Sequence, residues 1–379
     1  MIPQLKTVDI DITERCNLRC KYCIAECKSG VEELPKEKII SILNDMLSMG
    51  CRDLIIAGGE PFCHKDLFEV LNEAENGGIR AAILTNGTLL NQERIEKLDE
   101  LISIAYVRIS MEYSEPSRYD SFRGTKKGIE RITWAIRALK NIGKVVGINV
   151  VLFPDNLESL DKVFDYAISN DVDFIRMVPV VGMKGVEPPK PSFYVDALKR
   201  IIEVIVSRSD HIYPYITKVP TDLTELSKAF VERCPGGRIS CSVSPSGFIK
   251  SCPMIPDSIE NSCNIYKMSL KEAWKKVSGS ANEEEECFNK SAKGNCLSCS
   301  LKTHCLGGCK VEKLSRSLSI EAGQPVCIQD VINQAIRERI EDPSVRYILS
   351  NILTRQYGMK EYNVMQCFRS LPVWVYNLV

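Results

Sequence analysis

Histidine is scarce in this chain: His64, His211 and His304 are the three among 379 residues, and their spacing makes neither a triad nor a zinc motif. Hydrolytic chemistry therefore has no visible machinery. Net charge is also absent, because 49 basic and 49 acidic residues cancel, and bulk composition recruits neither nucleic acid nor anionic lipid. No run approaches the roughly 20 apolar residues of a membrane span. The N-terminus MIPQLKTVDIDITE carries acids where a signal peptide has a basic region and an apolar run. These absences predict a cytoplasmic protein with no nucleic-acid and no membrane partner. With 44% hydrophobic residues the chain has core material for a catalytic domain and a smaller appendage, which excludes disorder.

Cysteine is abundant. Seventeen thiols in a chain read as cytoplasmic do not make a disulfide framework, and metal binding is the remaining common use. Cys16, Cys20, Cys23 and Cys27 lie at the front and Cys51 and Cys63 follow; 170 residues then pass with none before eleven more between Cys234 and Cys367. The gap separates a scaffold with one cluster at its entrance from a cysteine-rich C-terminal module.

The scaffold alternates strand-like runs (VDIDIT, LIIA, AAILT, YVRISM, VVGINVVL, FIRMVPV) with segments of helical period at 36–49, 67–75, 93–101, 128–141, 157–169 and 196–207. Six β-then-α units predict a parallel sheet with helices outside, either doubly wound or a partial barrel, with ligands at the carboxyl ends of the strands. The unusual residues collect there. The array TERCNLRCKYC follows the first strand, AGGEP the second and TNGT the third. Ser110 closes the fourth strand, Asn149 lies in the fifth, and Met177 to Pro179 end the sixth. TNGT alone reads as an ordinary turn.

Three thiolates on a four-iron cluster leave one iron open, whereas a structural zinc site closes its sphere with four ligands. Cys27 is available as a fourth ligand, so spacing by itself leaves a zinc site open.

With the C-x3-C-x2-C array and GGEP together, roughly the first 210 residues resemble the radical S-adenosylmethionine (SAM) enzymes, with Tyr22 in the aromatic place of their C-x3-C-x-aromatic-C signature. The resemblance implies a partial (β/α)6 TIM-like barrel in which Cys16, Cys20 and Cys23 bind a [4Fe-4S] cluster and SAM chelates the fourth iron. It implies that the backbone of Gly58, Gly59, Glu60 and Pro61 receives the SAM amino group, glycine permitting close approach. Ser110 and Arg123 look like the pair that holds the SAM carboxylate and ribose, and Asn149 joins Tyr22 in the cofactor-binding set. The family usually has HD where Tyr119 and Asp120 stand. Bland rivals exist: Tyr22 as packing, Ser110 as a strand end, Asn149 as a buried amide, Arg123 as half of a surface ion pair.

In the C-terminal module CLSCSLKTHCLGGC spaces Cys296, Cys299, Cys305 and Cys309 as C-x2-C-x5-C-x3-C, with Cys234, Cys241 and Cys252 upstream and Cys327 beyond. Zinc also accepts such thiolate sets. The order over 234–327 is similar to the SPASM domain of radical SAM peptide-modifying enzymes. By that match Cys234, Cys241, Cys252 and Cys309 hold one auxiliary [4Fe-4S] cluster, and Cys296, Cys299, Cys305 and Cys327 hold another. The domains implied are a radical SAM barrel at 1–210, a SPASM domain at 211–330 and a helical tail at 331–379. Cys27, Cys51, Cys63, Cys263, Cys287 and Cys367 remain and read mainly as small core residues; Cys263 and Cys287, in what look like polar loops, are minor candidates for a hydrogen-atom donor. The run ANEEEECFNK reads as a solvated loop, GMKGVEPPKP as a linker, and the apolar end SLPVWVYNLV as a segment that packs back on the protein or at a dimer interface.

The implied reaction uses a ferredoxin or flavodoxin as electron donor, cleaves SAM to methionine and a 5′-deoxyadenosyl radical, and oxidises the substrate through the auxiliary clusters. The leading substrate class is a ribosomally made peptide or protein side chain that receives a crosslink, thioether or dehydrogenation. Sulfatase maturation is discounted because Pro253, not an acid, follows Cys252, and the array's start at residue 16 leaves no room for a leader-binding domain ahead of it. The alternative is a small molecule or cofactor precursor such as a porphyrin side chain. A non-catalytic iron-sulfur or zinc-binding protein explains the cysteines but not GGEP.

Overall fold

The computed structural model describes residues 2–23, 32–182, 186–208, 234–299 and 302–318, with residues 327, 330, 334 and 374–377. The six strand-like runs form β1 (Thr7–Asp11), β2 (Asp53–Ala57), β3 (Arg80–Thr85), β4 (Ile104–Ser110), β5 (Val146–Leu152) and β6 (Phe174–Pro179). The six helical segments form α1 (Lys36–Ser48), α2 (Leu67–Asn76), α3 (Gln92–Asp99), α5 (Gly128–Asn141), α6 (Leu160–Ser169) and α7 (Pro191–Val206). An additional helix, α4 (Pro116–Arg123), follows β4. Its mixed sequence PSRYDSFR lacks a clean apolar stripe, so periodicity does not reveal it.

The described residues fall into two compact units, one within 1–111, 115–148 and 235–283, the other within 112–114, 149–234 and 284–379. In the first, β1 to β4 pair in parallel in chain order. Their interiors are runs of consecutive buried residues such as Leu54, Ile55 and Ile56, as expected of strands covered on both faces. Helix α1 buries Ile39, Ile42, Leu43 and Met46, the i, i+3, i+4, i+7 stripe of a helix on a sheet.

Segment 235–283, read from sequence within the cysteine-rich module, packs in this first unit. Strand β7 (Ser240–Val243) pairs parallel with β1, placing Cys241 opposite Val8, and β8 (Ile249–Lys250) turns back antiparallel on β7. The added strand satisfies the backbone groups that β1 would otherwise expose at an edge. Helix α8 (Leu270–Ser291) is anchored here by Leu270 N–H to Asp45 Oδ2 at 2.7 Å and by buried Trp274, whose indole N–H donates to Pro3 O at 2.7 Å.

The acidic run 281–290 is helical within α8 and is not the loop expected from its charge. Alanine, glutamate and lysine are strong helix formers, and Glu286 pairs with Lys290 at 3.4 Å across one turn.

In the second unit, β6 pairs antiparallel with β9 (Trp374–Asn377), so the apolar end of the chain contributes a strand. Of the tail before it, Asp330 and Gln334 are helical and the rest lies outside the described residues. Asp161 and Asp165 of α6 pair with Arg208 at 3.0 and 2.7 Å, and Asp161 also pairs with Arg200 of α7. The short helix α9 (Lys302–Cys305) ends in Cys305, and Cys309 caps the start of α10 (Lys310–Ser315). Among the described residues no helix is long and apolar enough to cross a membrane.

Replacing Trp274 by Phe removes the donor to Pro3 O and part of a buried ring; a loss of about 1–3 kcal/mol is expected, read as a lower urea midpoint. An unchanged midpoint would show that the indole does not hold the N-terminal segment.

Candidate active site

The loop after β1 carries the first three cysteines, each partly buried. It is clasped by the loop after β2: Gly59 N–H donates to Thr13 O at 2.7 Å and Glu60 N–H to Arg15 O at 2.8 Å. A Cβ on Gly58, whose φ is +128°, would lie 2.5 Å from Thr13 O, and one on Gly59 would lie 2.4 Å from Arg15 O. The glycine pair is thus required where two backbones touch, a cause additional to ligand approach. With both N–H groups engaged, any amino group received by this loop would be met by carbonyl oxygens.

Glu60 is fully buried. Its Oε1 accepts from the Thr85 hydroxyl at 2.6 Å and Phe62 N–H at 3.2 Å, and its Oε2 accepts from Asn86 N–H at 2.7 Å. Burial raises its proton affinity, and the Thr85, Asn86 and Phe62 donors oppose that shift. One carboxylate thereby joins the second loop to the third. Pro61 is buried and opens a short 3-10 turn, Pro61–Cys63, in which burial, Glu60 and Cys16 push the Cys63 thiol up to about 11, leaving it neutral beside Cys16.

TNGT is more than a turn. Gly87 N–H donates to the Thr85 hydroxyl at 2.9 Å and Thr88 N–H to Asn86 Oδ1 at 2.9 Å, nested side-chain turns completed by Gly87 at φ +75°. Asn86 Nδ2 donates to Asn17 Oδ1 at 2.9 Å and reaches Cys16 Sγ at 3.9 Å, and Asn17 Nδ2 donates to the Thr88 hydroxyl at 2.8 Å. The sequence places TNGT on the rim but reads it as an ordinary turn; that its Asn86 and Thr88 join Asn17 beside Cys16 is set by contacts between residues far apart in the chain.

Helix α4 meets the other side of the cysteine loop. Two of its last carbonyls, Phe122 O and Arg123 O, accept from Lys21 and Arg19 N–H at 3.1 and 3.2 Å, so the loop caps the helix end. Arg123 is buried there, and its Nη1 donates to Cys20 Sγ at 3.5 Å. Tyr22 is exposed and stacks on Phe122 with ring centroids 5.8 Å apart. Tyr119 is buried, and Asp120 accepts from Lys127 and Gly128 N–H at 2.8 Å, opening α5. Ser110 is partly buried at the end of β4. In the second unit Asn149 Oδ1 accepts from Arg176 Nη1 at 3.1 Å.

Within the second unit the C-terminal thiols gather. Burial and the neighbouring Cys296, Cys327 and Cys299 push Cys305 up to about 12, and burial with Cys234 does the same for Cys309. Lys313 is buried over the Phe288 ring at 4.8 Å; burial lowers its proton affinity, while Cys296, Cys305 and Cys309 act to raise it. In the first unit Cys241 is buried and raised by burial, then by Cys51, Asp9 and Cys263, and Cys252 is partly buried. Cys263 lies in the expected loop between β8 and α8 but is fully buried, its thiol directed at Ala273 O at 3.9 Å, whereas Cys287 is exposed on α8 and not in a loop. His64 is a satisfied core residue, with Nε2 2.9 Å from Leu34 O and Nδ1 accepting from Asp66 N–H at 3.2 Å. Cys27, Cys367 and His211 lie outside the described residues.

The donor set fits an iron-sulfur cluster. Thiolates are its ligands, and N–H donors from Leu18 (3.4 Å), Asn86 and Arg123 already face two of the sulfurs. A zinc tetrahedron with bonds near 2.3 Å requires sulfurs about 3.8 Å apart. Among the described residues no three His, Cys, Asp or Glu side chains converge to hold a single ion.

Glu60→Gln turns one acceptor oxygen into a donor facing another donor. A loss of about 1–3 kcal/mol is expected, with less iron retained after anaerobic reconstitution; wild-type stability and iron would show that the carboxylate does not join the loops. Gly59→Ala is expected to lose more of both, because the obstruction is backbone.

Residues 10–167 match the Radical SAM superfamily model. An AdoMet-dependent heme synthase of Methanosarcina barkeri is 26% identical over 345 residues, 84% of this chain and 95% of that protein. An Fe-coproporphyrin III synthase of the same organism is 28% identical over 206 residues, 54% of this chain and 51% of the relative. Among solved structures, Streptococcus suis SuiB bound to S-adenosylmethionine superposes with a TM-score of 0.68 at 19% identity, covering 85% of this chain and 76% of SuiB. Native anSMEcpe with bound AdoMet and the Cp18Cys peptide gives 0.69 at 19% identity, covering 92% and 100%. The α/β fold with its parallel sheet is shared with both. Residues 10–167 therefore carry a Radical SAM superfamily domain, and the protein is an enzyme built on that domain.

Proposed function

We propose that this enzyme oxidises a side chain of a porphyrin-like cofactor precursor. The observation that carries this reading is the likeness to the heme synthase along most of both chains. Cys16, Cys20 and Cys23 are the proposed ligands of the SAM-binding [4Fe-4S] cluster, with Gly58 to Pro61, Ser110, Arg123 and Tyr22 around SAM. When bound and reduced by a ferredoxin or flavodoxin, the cluster supplies the electron that cleaves SAM to methionine and a 5′-deoxyadenosyl radical, which takes a hydrogen atom from substrate.

The C-terminal thiols are proposed as two closed auxiliary sets of a SPASM domain, suited to receive the electron left on the substrate. The gathering of Cys296, Cys299, Cys305 and Cys327 supports one set and the nearness of Cys234 to Cys309 supports part of the other. A cluster of partly buried thiols has little use for stability alone, and metal binding would deprotonate it. A net oxidation needs no hydrogen donor, so neither Cys263 nor Cys287 is assigned that role. The location proposed is cytoplasmic.

The order of the C-terminal cysteines favours a second reading, modification of a ribosomally made peptide or protein side chain. The two readings share the cofactors and differ in substrate. Anaerobic reconstitution should give about twelve irons per chain, falling to about eight in the Cys16/Cys20/Cys23→Ala variant; zinc instead of iron, or no loss, would remove the ligand assignment. The reconstituted enzyme should then form 5′-deoxyadenosine and change the mass of iron coproporphyrin. No change in the porphyrin, with a mass change in a peptide encoded beside this gene, would overturn the first reading for the second.

A further inference from the structure

We propose that Asn86 is a positioning residue whose side-chain N–H donates to Cys16 Sγ and sets the reduction potential of the cluster held there. The inference rests on the assignment of Cys16 as a cluster ligand and adds a residue that the assignment does not require.

The orientation of the Asn86 amide follows from its surroundings. Thr88 N–H, a donor without ambiguity, points at the atom taken as Oδ1 from 2.9 Å, and the Thr88 hydroxyl donates to the same atom at 2.6 Å. The opposite end of the amide must then be the nitrogen. One of its hydrogens is taken by Asn17 Oδ1 at 2.9 Å, which leaves the second for Cys16 Sγ at 3.9 Å. Asn17 closes the ring by donating to the Thr88 hydroxyl at 2.8 Å. Flipping the Asn86 amide would set donor against donor at Thr88 N–H.

The backbone is held as well. Asn86 N–H is bound to buried Glu60 at 2.7 Å, and the residue is 6% exposed, so the amide does not exchange freely with solvent. Leu18 N–H, 3.4 Å from the same sulfur, is another donor to Cys16. A hydrogen bond to a cluster sulfur stabilises the more negatively charged reduced state and raises the potential, and a low local dielectric strengthens it. A protein that depends on reduction by a low-potential donor gains directly from such a bond.

The test is a redox titration of the full chain, reconstituted anaerobically, followed by electron paramagnetic resonance with iron counted for each variant. The relevant signal is the one lost in the Cys16/Cys20/Cys23→Ala variant; if that variant loses neither signal nor iron, the ligand assignment fails separately. Asn86→Ala should shift the one-electron reduction equilibrium about tenfold toward the oxidised state, a midpoint lower by about 59 mV. Thr88→Val, which removes one of the two donors holding the amide, should lower it by less while retaining wild-type iron. Wild-type midpoints in both variants at wild-type iron content would overturn the proposal. If Asn86→Ala takes up no iron, Thr88→Val decides alone, and a wild-type midpoint there overturns it.

Discussion

The site depends on a contact between two stretches of backbone. Gly59 and Glu60 place their N–H groups on the carbonyls of Thr13 and Arg15 at 2.7 and 2.8 Å, at a separation only glycine allows. Strands β1 and β2 are neighbours in the sheet and deliver both loops to the same end. The clasp turns that proximity into a fixed distance. A cysteine loop free to move could not hold three thiols at one geometry, because each flexible residue would add conformational entropy to be lost on binding.

The remaining contacts extend the clasp sideways. Buried Glu60 collects donors from Thr85 and Asn86, so β3 takes part through its terminal turn. Helix α4 contributes from the other side, its final carbonyls satisfied by amides of the cysteine loop and its last arginine directed at Cys20. The sulfurs thus sit among N–H donors, an environment suited to anionic thiolate and sulfide. The C-terminal thiols are arranged differently. Cys309 is buried and Cys305 partly so, and burial with neighbouring thiols raises the proton affinity of both.

Most of the scaffold was legible in the sequence because its signals are local. Strands covered on both faces appear as short apolar runs, and helices on a sheet repeat at i, i+3, i+4; six of each fell close to their expected places. Where local rules compete, the reading failed. The glutamate run was taken for a solvated loop on charge, although glutamate and lysine four apart favour the helix that forms. Helix α4 escapes the pattern because, although its buried Tyr119, Phe122 and Arg123 stand at i, i+3, i+4, one of the three is a charged residue and the eight-residue segment is mostly polar. Strand β7 is four residues long and owes its existence to the edge of β1, a partner more than 200 positions away in the chain.

By itself the sequence determined the sulfur chemistry: three closely spaced cysteines after a strand, a glycine pair after the next, and a second cysteine array near the C-terminus. Covalent spacing sets which ligands can reach a common centre, and spacing is written in the chain. Only the tertiary structure decided what surrounds those sulfurs. That Glu60 binds the TNGT turn, that Asn86 and Arg123 face Cys16 and Cys20, and that 235–283 packs in the unit that contains β1 all depend on contacts between residues distant in sequence. Such contacts are selected by burial and by the satisfaction of polar groups, which no local pattern encodes.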